Sequence, residues 1–138
     1  MPVKFADISF AFEYVGSADI GVNHAWLNRE TGETVIHSEM YDNFEEVPDD
    51  IDDEKYVAIP HKKELDLGKP LVLRFVREYL PNVLDAAYDM FSRKGAYAKF
   101  RRLLARRHAI DRWNDFSAKS EEEALRQWCV ENSIDVAG

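Results

Sequence analysis

Three groups of residues have types and spacings that could do chemistry. His24, His37 and Glu39 lie either side of the polar run Asn28-Arg29-Glu30-Thr31-Gly32-Glu33. If a turn spans Arg29 to Gly32, Asn28 faces Glu33, His24 lies directly opposite His37, and Val22 lies opposite Glu39. Two imidazoles and a carboxylate then share a face, a donor set that an open zinc site can use. The second group is the single thiol, Cys129, beside Trp128 on an apolar helical stripe. Burial keeps such a thiol protonated and inert. The third is cationic: from Arg93 to Arg112 the chain carries Arg93, Lys94, Lys99, Arg101, Arg102, Arg106, Arg107 and Arg112 against Asp111 alone.

Most enzyme classes lack their residues. There is no HExxH pair, and His61 and Glu64 share only one helical turn. No serine sits in a GxSxG elbow, and Gly16, Gly21, Gly32, Gly68 and Gly95 are too dispersed for a phosphate loop. Asp50-x-Asp52-x-Glu54 is followed by Lys55 where an EF-hand needs glycine. No catalytic residue and no cofactor follow from these residues, and a metal-dependent enzyme at His24, His37 and Glu39 is only a remote alternative.

Charge is the stronger signal. The chain of 138 residues has a net charge of -8, but residues 1–60 hold three cations against fourteen carboxylates and residues 61–138 hold fifteen against twelve. The stretch from Asp42 to Glu54 has eight carboxylates and no cation, the composition of a solvated, partly mobile connection. Opposite it in sign, Lys99, Arg102 and Arg106 recur at helical spacing. Arg93 and Lys94 precede Gly95, where a helix would open with unpaired N–H groups that attract anions. Such a ridge suits an acidic protein partner or a second copy of the chain. RNA or DNA is the alternative, disfavoured by the net acidity and by an expected inward placement of Tyr97 and Phe100.

These side chains need elements to position them. Phe5, Ile8, Phe12 and Val15 predict a helix that stops near Gly16. Alternation after Gly21 and a second run from Thr34 to Ser38 predict a hairpin, and Tyr56 to Ile59 a third strand ended by Pro60. From Leu67 onward the pattern is helical. Val72, Phe75, Val76, Tyr79 and Leu80 form one inner stripe; Val83, Leu84, Ala87, Tyr88 and Phe91 a second; Ala96, Tyr97, Phe100, Leu103 and Leu104 a third. Ile110, Trp113 and Phe116 suggest a short helix, and Ser120 with Glu123 a capping box that opens the last one. The expected fold is α+β in one domain over 1–138: an N-terminal helix, a small antiparallel sheet of about three strands in 1–60, and a bundle of four to five helices in 61–138.

Tyr56-Val57-Ala58-Ile59-Pro60 after an acidic approach, Phe91-Ser92-Arg93-Lys94-Gly95-Ala96-Tyr97-Ala98-Lys99-Phe100, Trp113, and Ala124-Leu125-Arg126-Gln127-Trp128 before Asn132-Ser133-Ile134 occur in that order. With the Thr31-Gly32-Glu33 turn, this order resembles the bacterial uncharacterised protein family (UPF) number 0158 from about Phe5 to Ile134. His24 and His37 lie outside that pattern. The resemblance implies a small bacterial cytoplasmic α+β protein and carries no catalytic residue with it. A cytoplasmic setting also fits the lone cysteine, which excludes an internal disulfide. Asp7 and Glu13 interrupt any signal core, and no stretch reaches the 18 or so apolar residues of a membrane span.

Overall fold

A computed structural model describes residues 2–40 and 47–138. In chain order its elements are β1 (Val3–Lys4), α1 (Phe5–Gly16), β2 (Asn23–Asn28), β3 (Thr34–Ser38), β4 (Tyr56–Ala58), α2 (Lys69–Tyr79), α3 (Leu84–Met90), α4 (Ala96–Arg106), α5 (Ile110–Glu131) and β5 (Val136–Ala137). Five helices and a three-stranded antiparallel sheet make it an α+β fold with a helical C-terminal region. The chain divides into two compact units, Met1–Leu65 with Ala124–Gly138, and Asp66–Glu123.

In the first unit β2 is the central strand, with β3 and β4 antiparallel on either side. The β2–β3 register pairs His24 with His37 and Leu27 with Thr34, and the Asn28 N–H closes onto Glu33 O at 2.8 Å. Asn28 Oδ1 accepts the N–H groups of Glu30 and Thr31, and Gly32 takes φ +78 in the turn, as its lack of a Cβ allows. Because successive strand residues face opposite ways, Ala25 and Leu27 go to the α1 side and are buried, while His24 and Trp26 face outward. From α1, Ile8, Ala11, Phe12 and Val15 are buried as well, and full burial of a Phe or Leu is worth roughly 1.5–3 kcal/mol. A second, two-stranded parallel sheet joins β1 to β5, with Val3 opposite Val136. Pattern reading misses this sheet because each strand has only two residues.

In the second unit Val72, Phe75, Val76, Ala87, Phe100, Leu103, Leu104 and Ala109 form one buried cluster. Phe75 and Phe100 each meet Trp113 edge-on, at 5.2 and 5.1 Å between ring centres. Three tyrosines assigned to the inner stripes, Tyr79, Tyr88 and Tyr97, are 38%, 43% and 50% exposed. The Tyr79 ring meets Phe75 at 5.0 Å and the Tyr97 ring meets Phe91 at 5.1 Å, so both border the core while staying partly exposed, and the Tyr88 hydroxyl accepts a hydrogen bond from Arg77 at 3.3 Å.

The inward placement expected of these tyrosines is thus overturned, and so is the helix boundary expected at Ser120. Ser120 caps no helix: it lies inside α5, which runs unbroken from Ile110 to Glu131, and it is buried. Its Oγ accepts a hydrogen bond from the Arg74 guanidinium at 2.9 Å. Residues 117–119 contain neither Gly nor Pro, so nothing in the backbone forces a break there.

Candidate binding surface

Helix α4 starts where Gly95 adopts φ +75, a left-handed conformation that any Cβ would strain. It ends where His108 adopts φ 53 and the Ala109 N–H turns back to Leu104 O at 2.9 Å, a C-terminal motif that satisfies a terminal carbonyl. Between these ends, Phe100, Leu103 and Leu104 fix which side faces the core. The remaining positions face solvent: Arg101, Arg102, Arg106 and Arg107 are exposed and Lys99 is half-buried.

Lys99, Arg102 and Arg106 thus stand as a row at i, i+3 and i+7, and none of them makes an ion pair among the described residues. Like charges at these spacings repel by a few tenths of a kcal/mol per pair. Only Arg106, in the last turn, is also favoured by the helix dipole. Arg93 and Lys94 sit before the positive end of the helix, where cations are disfavoured. Arg93 is partly compensated by Asp89 at 3.5 Å, whereas Lys94 is exposed and unpaired among the described residues. Tyr97, exposed and edge-on to Phe91 at 5.1 Å, adds an aromatic ring at the head of α4, on the flank away from the Lys99, Arg102 and Arg106 row.

The hairpin residues meet as the register requires. Glu39 Oε1 lies 3.5 Å from His24 Nε2 and 3.6 Å from His37 Nε2, and the Glu39 N–H donates to Val22 O at 2.8 Å. The imidazoles are stacked at 6.2 Å, and His24 stacks on Trp26 at 5.7 Å. Both nitrogens address one carboxylate oxygen, and the distances exceed those of good hydrogen bonds. Among the described residues no group of three His, Cys, Asp or Glu is arranged to hold a metal ion.

Of the acidic run, Asp42, Glu45 and Glu46 lie outside the described residues. The rest folds into successive turns: the Ile51 N–H donates to Pro48 O, the Asp53 N–H to Asp50 O and the Tyr56 N–H to Asp53 O. Lys55 Nζ lies 2.7 Å from Asp50 Oδ2. This contact holds the Asp50 carboxyl below the usual aspartate range and raises the Lys55 ammonium. Sequence reading missed the anchor, although a cation five residues after an aspartate was there to be seen. Beside it an open notch of about 650 Å³ is lined by Arg29, Glu30, Asp53, Glu54, Lys55 and Tyr56. Cys129 is buried, and burial pushes its thiol up, as expected of an unreactive side chain.

No family model, curated protein or solved structure matches this chain. Among the described residues no helix is long and apolar enough to cross a membrane.

Proposed function

We propose that the protein is a non-enzymatic binding module that receives an acidic protein partner on α4, through Lys99, Arg102 and Arg106, with Arg93 and Lys94 at the head of the helix. One observation carries this reading: three cations stand side by side without an ion pair among the described residues, in a chain where carboxylates outnumber cations by 26 to 18. Uncompensated charge of one sign attracts the opposite sign over a Debye length, about 10 Å at 0.1 M salt. The motif resemblance and the lone buried thiol support a bacterial cytoplasmic setting.

The test uses polyglutamate as a generic acidic chain. Binding at about 0.1 M salt is expected for the wild type, with loss in about 1 M salt, where the Debye length is about 3 Å. The triple variant Lys99→Gln, Arg102→Gln, Arg106→Gln should keep its far-UV circular dichroism and lose the binding. Equal binding by both proteins refutes the reading.

A second reading, nucleic-acid binding through the same helix, is favoured by the exposed Tyr97 ring, which can stack on a base. It requires that log affinity for generic oligonucleotides fall linearly with log salt. A flat anisotropy signal at low salt removes it.

A further inference from the structure

The two compact units divide the charge unevenly. Met1–Leu65 with Ala124–Gly138 holds seventeen carboxylates and six cations, whereas Asp66–Glu123 holds twelve cations and nine carboxylates. Each copy of the chain therefore carries a strongly acidic unit and a basic one.

Within the acidic unit, the turn at 49–54 is prebuilt. Three backbone hydrogen bonds of 2.8–3.1 Å shape it, and the Lys55 N–H donates to Asp53 Oδ1 at 3.0 Å. Lys55 neutralises Asp50. Asp49, Asp52 and Glu54 are exposed and make no ion pair among the described residues. The second unit offers a matching set in Lys99, Arg102 and Arg106, three cations within about 10 Å along the axis of α4. Both surfaces keep their charges unpaired among the described residues, and both stand on hydrogen-bonded backbone, so the entropy lost on docking is mainly that of the side chains. Arginine forks hold carboxylates in two parallel hydrogen bonds, which gives the contact direction as well as charge.

We infer that the acidic partner is a second copy of this chain, whose 49–54 turn docks on the α4 row of the first; this rests on the binding-module reading above. The contact joins two different surfaces, and each copy carries both.

A charge-swap experiment on the whole chain tests this. One variant carries Arg102→Glu and Arg106→Glu; the other carries Asp49→Lys and Asp52→Lys. All four positions are exposed, and far-UV circular dichroism verifies folding. Mass is read by light scattering as chain concentration rises towards about 1 mM, the weak end of useful affinity. The wild type should grow above 16.0 kDa at about 0.1 M salt and return to it at about 1 M. Each variant alone should stay monomeric, because it sets like charge against like. The two variants mixed should associate, because the native contact and its reversed copy are both restored. A wild type that stays monomeric, or a mixture no heavier than its parts, overturns the inference. If polyglutamate still binds the wild type and not the α4 variant, only the identity of the partner falls. If polyglutamate fails as well, the binding-module reading falls with it.

Discussion

The His61 imidazole lies 2.8 Å, through Nε2, from the carbonyl oxygen of Ala18, 43 residues earlier in the chain. Its other nitrogen, Nδ1, accepts the Lys63 N–H at 3.1 Å. An acceptor at Nδ1 and a carbonyl at Nε2 leave one consistent assignment, the neutral ring with its proton on Nε2. The side chain is buried, and it ties the connection after α1 to the 3₁₀ turn Lys62–Leu65. His61 therefore serves the first unit as a structural cross-link.

His61→Phe fills similar volume but leaves the Ala18 carbonyl and the Lys63 N–H without their partner. The two hydrogen bonds lost are part-buried, and each is worth about 0.5–1.5 kcal/mol. The urea midpoint should fall by a corresponding amount with the m-value unchanged. A midpoint equal to wild type would show that water replaces the imidazole at no cost.

The unbroken course of α5 makes a second expectation. Ala118 is exposed in the middle of that helix, two residues before the buried Ser120. Ala118→Gly should cost about 1 kcal/mol and Ala118→Pro about 3 kcal/mol or more. In a linker between two helices either change would be nearly neutral. Chemical denaturation of the two variants decides between these structures.

The contrast at Ser120 shows what the sequence made legible. Periodic apolar stripes located α1, α2 and α4, and the pairing of Asn28 with Glu33 followed from the turn at Gly32, because a strand period of two leaves one register for a given turn. The α4 row was legible for the same reason: Phe100, Leu103 and Leu104 fix the core side, so Arg102 and Arg106 must face water. Helix ends were harder to read. α4 and α5 are followed by His108 and Ser133 at φ 53 and 57, positions where glycine is the usual signal. The Ser-x-x-Glu pattern at Ser120 is local and carries no information about Arg74, 46 residues away, which binds its hydroxyl. Pairings between distant segments, such as β1 with β5 or His61 with Ala18, leave no periodic trace.

Cys129 offers a kinetic measure of the packing of α5 in the first unit. The thiol is 1% exposed, and burial raises its pKa despite the nearby Arg126 charge. Since only the thiolate attacks a disulfide reagent, both access and ionisation oppose reaction at neutral pH. A chromogenic disulfide should label the native protein slowly and the urea-unfolded protein at the rate of a free thiol. Rapid native labelling would mean that this end of the helix opens far more often than its burial suggests.

The Asp50–Lys55 contact gives the acidic turn a defined pH window. The Asp50 carboxyl is held low, chiefly by its hydrogen bond to the Lys55 ammonium, and the Lys55 ammonium is held high by the same bond. The depressed acid contributes at pH values above its unfolded value, about 3.9, and the contribution is lost as pH falls through the lower folded value. The raised base contributes below its unfolded value, about 10.4, and that contribution is lost as pH rises through the higher folded one. Between these limits the turn is pinned at both ends of the contact. A carbon-detected NMR titration should therefore find the Asp50 midpoint below the ordinary aspartate value, and Lys55→Met should return it there. If the midpoint stays low in Lys55→Met, the turn's backbone N–H groups, and not the ammonium, hold the charge.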